Sequence, residues 1–221
     1  MNRMGDSVLI SLSASTAFSG DYKPDASTLS FMLYDQQGNR KYLTKTERQA
    51  FIDAARRAAP EIETFCLTLA YTGARISEVL ALVPMRVDTS AHAIVIECLK
   101  KRRRGVFRAV PVPLDLLRRL NEVHDINDLR CVPETGSQRI WPWSRTSAWT
   151  RVKTIMHAAG IVEGPAMPKA LRHAFGVGGT QVGVPLNLIQ RWLGHADIQT
   201  TAIYTDVMGD EERGLAERMW A

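Results

Sequence analysis

Two segments rich in β-branched and aromatic residues, Ala93–Leu99 and Val106–Val112, stand only six residues apart. Five of the six residues between them are cations: Lys100, Lys101, Arg102, Arg103 and Arg104. This pairing constrains the chain more than any other feature. β-formers on both sides of so short a link predict an antiparallel hairpin with a basic turn. On either side of the hairpin the apolar residues recur at helical spacing. The fold class expected is mainly α with a small antiparallel β-sheet near the middle, an α+β chain.

The helices announce themselves by their ends. Thr44-Lys-Thr-Glu47 has the spacing of a capping box, and the helix it opens carries Phe51, Ile52 and Ala55 on one face before Pro60. An apolar stretch from Ile62 to Tyr71 stops at Gly73, and a third helix is expected from Ala74 to Val83, before Pro84. Beyond the hairpin, helical spacing returns over Leu114–Val123, Arg145–Ala159, Pro168–Val182, Pro185–Leu193 and Gln199–Met208. Residues 1–41 differ. They read as an extension, mobile over about its first twenty-five residues, with short strands at Ser30–Tyr34 and Lys41–Leu43 around a turn-rich Asp35–Asn39. A domain over residues 42–208 follows. A tail over 209–221 carries an apolar face of Leu215, Met219 and Trp220 that docks either on its own subunit or on a neighbour.

Composition narrows the class. With 221 residues, 45% apolar and 23% charged, the chain can build a sizeable core and is not wholly disordered. No run approaches the ~18 apolar residues of a membrane span. Val8–Leu12, with Asp6 before it, is a poor secretory signal. Three cysteines, Cys66, Cys98 and Cys131, lie far apart without a CxxC pair, which suggests reduced thiols in a cytosol. A net charge of +5 leans toward an anionic partner.

Some of those cations stand where a helix does not favour them. The N-terminal end of a helix carries partial positive charge, yet Arg75 follows the Gly73 break at once. Lys169, Arg172 and His173 likewise crowd behind Pro168, a residue suited to the first helical turn. Each case alone has a bland explanation, a solvated side chain or a nearby carboxylate. Together they suit an anion bound at both helix starts, because backbone N–H groups and guanidinium forks both fit phosphate oxygens. The basic turn adds a shape that can follow a nucleic-acid backbone. His195, just past the helix-ending Gly194, and Tyr204, in the last helix, are unremarked by themselves.

In this order, Thr72-Gly-Ala-Arg-Ile-Ser-Glu-Val-Leu80, Leu99-Lys100, Lys169-Ala-Leu-Arg-His-Ala-Phe175, Leu193-Gly-His195 and Tyr204 resemble the tyrosine recombinase (phage integrase) family, over roughly three quarters of the chain. Each piece is weak alone. The 23-residue step from Arg172 to His195 and the nine residues on to Tyr204 make the set specific.

The resemblance implies the catalytic-domain fold of DNA breaking-rejoining enzymes. It implies that Arg75 and Arg172 clamp the scissile phosphate and that His195 adds a hydrogen bond. Tyr204 would attack phosphorus to give a 3′-phosphotyrosyl enzyme and a free 5′-hydroxyl, and Lys100 would protonate that leaving oxygen. Glu78 and His173 would support the site, and Lys101, Arg102, Arg103, Arg104 and Arg108 would contact DNA. Neither metal, cofactor nor ATP would be needed, since rejoining is the reverse attack. The implied partners are double-stranded DNA with a specific recombination site and further copies of the chain, in a cytoplasm, in a prokaryote or on a mobile element, with no membrane.

Two departures stand out. The family usually has histidine where this chain has Lys169. A lysine accepts the tyrosine proton only if its pKa falls well below ~10.4, a shift that Arg75 and Arg172 would favour; otherwise it stays charged and binds phosphate. Both roles stay open. Secondly, about forty residues before Thr44 cannot make the separate helical domain that typical members carry, so the sequence reads as a compact catalytic domain or a fragment. Rival readings are a DNA-binding protein without catalysis, using Gln181–His195 and the helix after it as a helix-turn-helix, and a type IB topoisomerase with the same chemistry. A metal nuclease would need a cluster of carboxylates or histidines that the spacing does not offer.

Overall fold

A computed structural model describes residues 33–35, 37–99, 105–162 and 164–206. Helix α1 (Lys45–Arg56) begins where Thr44 Oγ1 accepts the Glu47 N–H at 3.2 Å and Glu47 Oε2 accepts the Thr44 N–H at 2.8 Å, the capping box expected of that motif. Arg40 pairs with the same carboxylate, which its hydrogen bonds hold down at about 2, and so ties the preceding segment to the helix.

Helix α2 (Pro60–Thr72) runs through the centre, with Phe65, Cys66, Leu69 and Ala70 at most 1% exposed. Its buried threonines return their hydroxyls to the carbonyl one turn back: Thr68 to Thr64 at 2.7 Å and Thr72 to Thr68 at 2.6 Å. No polar group of that row is left unpaired in the core. Trp141 packs edge-on against Phe65 with centroids 5.2 Å apart and donates its indole N–H to Glu61 O. The helix ends at Gly73, whose φ of +60° is the left-handed stop.

The next helix is shorter than its apolar pattern predicts. Arg75 is extended (φ −73°, ψ 149°) and serves as the residue before α3 (Ile76–Leu80). A 3₁₀ turn at Pro84–Arg86 leads into the sheet. Its strands, β1 (Val87–Asp88), β2 (Ala93–Glu97) and β3 (Phe107–Pro111), pair antiparallel in sequence order, with Val87 opposite Ile94, Val95 opposite Ala109 and Glu97 opposite Phe107. The hairpin was expected; β1 was not, because two residues carry no readable periodicity. The basic turn, residues 100–104, lies outside the described residues.

Helices α4 (Leu114–His124), α5 (Ile126–Leu129), α6 (Pro133–Gly136), α7 (Arg145–Ala158), α8 (Pro168–Gln181) and α9 (Leu186–Leu193) complete the domain, with Gly194 (φ +68°) closing the last. The final helix departs from expectation. It is one turn of α-helix, α10 (Gln199–Ala202), and then a 3₁₀ turn over Ile203–Asp206 that carries Tyr204.

A main apolar cluster surrounds α2, and a smaller one gathers Leu33, Val177, Ile189, Leu193 and Tyr204. Of the expected strands Ser30–Tyr34 and Lys41–Leu43, the described residues show one antiparallel bridge, Tyr34 with Arg40, closed by a 2.7 Å bond from the Lys41 N–H to Leu33 O. Residues 1–32 and the tail, with its expected docking face, lie outside the described residues.

Removing the Phe65 ring from this interior is expected to lower stability by about 3–5 kcal/mol, whereas Thr44→Ala, which removes one cap, costs about 1 kcal/mol. Urea titration checks both: each midpoint falls, Phe65→Ala by far the more, with an unchanged slope.

Candidate active site

Gly73 turns the chain so that Arg75 and Glu78 face across the start of α3. Glu78 is 2% exposed and stands between two guanidiniums. Arg75 Nη1 lies 2.9 Å from its Oε1 and Arg108 Nη2 lies 2.7 Å from its Oε2, and the Arg75 backbone N–H also donates to the carboxylate at 2.9 Å. Burial by itself would raise this carboxyl; the Arg108 bond and charge and the Arg75 N–H outweigh it and hold it below its ordinary value.

Arg108 does not stand where a DNA contact is expected. Its side chain is 3% exposed, and its Nε donates to Trp192 O at 2.6 Å. The reason is strand parity: Arg108 shares the inward face of β3 with Val110, while Phe107, Ala109 and Pro111 face outward. Arg108 thus braces Glu78 from behind.

Arg172 is also buried, at 6% exposure. Nη1 donates to Gly73 O at 2.9 Å and Nη2 to Leu193 O at 2.7 Å. These carbonyls lie at the C-terminal ends of α2 and α9, where helix dipoles favour a cation. Burial and then the nearby Arg75 pull its proton affinity down to about 9, still above neutral pH, so the charge persists. Each of the two arginines that looked misplaced in sequence therefore has a partner in the fold, Glu78 for one and two helix ends for the other. What distinguishes them is that both also line one cleft.

His195 follows Gly194, with its N–H on Gln190 O at 3.1 Å and its Nδ1 2.9 Å from the buried Thr201 Oγ1. Burial, then Arg172 and Arg75, push its imidazole down to about 3, so it is neutral at pH 7. A ring that accepts the Thr201 hydroxyl at Nδ1 carries its hydrogen on Nε2. Tyr204 lies nearly parallel to it, centroids 6.3 Å apart and planes at 19°. Its phenol is 1% exposed and is raised by burial to about 12, against the opposing pull of Arg172 and Arg75. The hydroxyl lies 3.4 Å from His173 Nδ1. Gly176, on α8, forms the floor under this ring: a Cβ there would come within 2.5 Å of Tyr204 Cζ.

The cleft, of about 360 Å³, is lined by Arg75, Arg145, Lys169, Arg172, His173, His195 and Tyr204, with Trp149 and Met167 at its rim. Among the described residues, four cations and no carboxylate face it. Such a pocket binds an anion, holds a phenol beside it and offers neutral imidazoles for proton handling. Among the described residues no three His, Cys, Asp or Glu side chains converge as a metal site. Of the residues singled out in sequence, Arg75, Lys169, Arg172, His173, His195 and Tyr204 meet here and Glu78 stands directly behind. Lys100, Lys101, Arg102, Arg103 and Arg104 lie outside the described residues.

Sequence reasoning missed Arg145, Thr201 and Gly176. Arg145 carries the same signal as Arg75, a cation in the first turn of a helix, here behind the capping Ser144. Thr201 and Gly176 carry no local signal; only the packing reveals them.

Glu78→Gln keeps the shape but leaves Arg108 buried without its countercharge, so a loss of about 3–5 kcal/mol is expected at pH 7. Because the folded carboxyl sits below its unfolded value of ~4.3, its stabilisation is complete above that value and disappears as pH falls through the folded one. Denaturant titrations from pH 7 to pH 3 should therefore show the gap between variant and parent narrowing only at the acid end.

Comparisons with known proteins identify the family and the fold. The family model described as "Phage integrase family" matches residues 41–210. Tyrosine recombinase XerA of Thermococcus onnurineus is 29% identical over 181 residues, covering 80% of this chain and 62% of that protein. Tyrosine recombinase XerD of Neisseria meningitidis is 34% identical over 160 residues, 68% of this chain and 54% of that one. The chain thus spans little more than half of these curated relatives. Among solved structures, the crystal structure of XerA recombinase superposes with a TM-score of 0.65 at 26% identity, over 80% of this chain and 65% of that one. An XerH site-specific recombinase bound to difH substrate, a pre-cleavage complex, matches in fold with a TM-score of 0.65 at 19% identity, over 88% of this chain and 62% of that one. A family match that spans most of the chain, and a fold shared with solved recombinases, make this chain a member of the phage integrase family with the fold of a tyrosine recombinase catalytic domain.

Proposed function

We propose that this chain is a site-specific DNA recombinase that breaks and rejoins strands through a covalent phosphotyrosyl intermediate on Tyr204. One observation carries the reading: Tyr204, Arg75, Arg172 and His195 line a single cleft that, among the described residues, four cations and no carboxylate face. A phosphodiester is the anion that suits two guanidinium forks, and a phenol beside it is the nucleophile.

Each group then has a task. A free phenol is ionised to only about one part in a thousand at pH 7, and burial makes this one more reluctant. Attack therefore needs the phosphate polarised and the proton removed in the same step. Arg75 and Arg172 spread positive charge over the non-bridging oxygens as negative charge builds there. Glu78 and Arg108 hold Arg75 from one side, and the two helix ends hold Arg172 from the other, so neither guanidinium has to reorganise when the phosphate arrives. His195, neutral, donates from Nε2 to a non-bridging oxygen. The 5′-oxygen leaves with a proton from Lys100, and rejoining runs the same path backward with a 5′-hydroxyl from the partner strand, without metal or ATP. Lys169 lies on the exposed side of the cleft mouth and either takes the tyrosine proton or binds phosphate.

Double-stranded DNA carrying a recombination site, further copies of the chain on paired sites and a cytoplasmic, DNA-associated location in a prokaryote or mobile element go with this reading. The DNA-bound XerH complex supports the DNA partner.

The test traps the intermediate. The protein is mixed, in EDTA, with nicked duplexes drawn from the DNA flanking its own gene. An SDS-resistant adduct is expected, mapping to Tyr204 by mass spectrometry. Tyr204→Phe is expected to abolish it while binding the same duplexes within about threefold, because one hydroxyl adds little to a contact surface dominated by phosphates. Salt-sensitive binding with no adduct overturns the reading in favour of a DNA-binding protein. Site-independent relaxation of supercoils by the monomer points instead to a topoisomerase.

A further inference from the structure

We propose that His173 is a catalytic residue, the base whose Nδ1 takes the proton of the Tyr204 hydroxyl during attack and returns it during rejoining. This inference rests on the reading of Tyr204 as the nucleophile. The phenolic O–H bond breaks as Nδ1–H forms, and the oxygen's electron pair makes the bond to phosphorus. The pair of the breaking P–O bond stays on the 5′-oxygen, which takes its proton from Lys100. On the return path the imidazolium gives its Nδ1 proton back to the departing phenol oxygen.

Three observations converge on this ring. Its Nδ1 lies 3.4 Å from Tyr204 Oη, within reach of the nucleophilic atom. The side chain is 2% exposed, so the contact is with the nucleophile and not with bulk water. Its other nitrogen, Nε2, is buried without a hydrogen-bond partner among the described residues. A neutral imidazole that accepts at Nδ1 carries its hydrogen on Nε2. An unpaired interior N–H is costly and calls for an explanation. His173 also lines the anion cleft, beside the hydroxyl of Tyr204.

The surrounding charges give the step a condition. Burial first, and then Lys169 and Arg172 on α8 and Lys41 on the preceding segment, push the His173 imidazole down to about 3. His195 and Arg75 face the same space from the other walls. With burial holding the phenol up at about 12, the proton rests on Tyr204. A phosphodiester adds negative charge among those same cations, and more as the transition state forms. That charge offsets Lys169, Arg172 and Lys41 and raises the proton affinity of the ring just as the phenol gives up its proton. At neutral pH His173 is already unprotonated and ready to accept.

The experiment measures adduct formation on nicked duplexes whose scissile link is a 5′-bridging phosphorothiolate. A thiolate leaves without protonation, so the rate reports on the tyrosine alone. His173→Asn keeps an acceptor oxygen near the place of Nδ1 but cannot hold a proton. It is expected to bind the duplex as the parent does, to react about 100-fold more slowly at pH 7, and to close that gap as pH rises and hydroxide takes over. His173→Ala, which opens a space for a free base, is expected to recover at least tenfold with added imidazole and serves if the Asn variant does not fold. Lys169→Met, which removes one of the charges that hold the ring down, should displace the pH dependence without removing it. The inference is overturned if His173→Asn reacts within threefold of the parent at pH 7, if imidazole restores nothing, or if Lys169→Met alone removes the pH dependence. No adduct from the parent chain overturns the underlying reading as well; an adduct indifferent to His173 overturns this inference only.

Discussion

The site depends on a carboxylate that water cannot reach. Glu78 is enclosed between Arg75 and Arg108, and through Arg108 it is joined to the Trp192 carbonyl near the end of α9. Burying three ionised groups is unfavourable unless every one is paired. One negative charge between two positive ones solves that locally while leaving a net cation at the mouth of the cleft. Arg172 repeats the logic with dipoles in place of an ion, held by the last carbonyls of two helices. The elements α2, α3, β3 and α9 therefore have little freedom to rearrange without uncovering a charge.

This wiring explains how a cleft of cations can persist without its ligand. Like charges repel, and in the interior they do so strongly. The fold answers by giving each arginine its own anchor and by leaving His173 and His195 unprotonated. The phenol is kept protonated by the same burial. The site holds three neutral rings, Tyr204 nearly parallel to His195 and edge-on to His173, beside two fixed guanidiniums.

Much of this was legible in the residues, for reasons that differ by position. Thr44 and Glu47, Gly73 and Gly194 mark helix ends because backbone geometry there admits few residue types. Arg75, Arg172, His195 and Tyr204 were legible through order and spacing. Arg108 was misread because it stands four residues behind the basic turn; the alternation with Val110 and Val112 pointed it inward, and the charge run drew attention the other way. The third helix came out short because Glu78 caps the Arg75 N–H from inside what looked like one continuous helix. Thr201, Gly176 and the Tyr204–His173 contact depend on how α8, α10 and the last turn meet, and no local pattern encodes a meeting between distant segments.

The segment before α1 shows where the boundary of such a domain lies in physical terms. Family similarity begins at residue 41, yet Leu33 is 4% exposed and belongs to the apolar cluster that houses Tyr204. Arg40 is clasped by Glu47, and the Lys41 N–H is bonded back to Leu33. A recombinant protein started at the similarity boundary would keep every residue described as lining the cleft and lose Leu33 from the apolar cluster around Tyr204. The working unit is larger than its family signature, and anyone shortening or fusing this protein should count from Leu33.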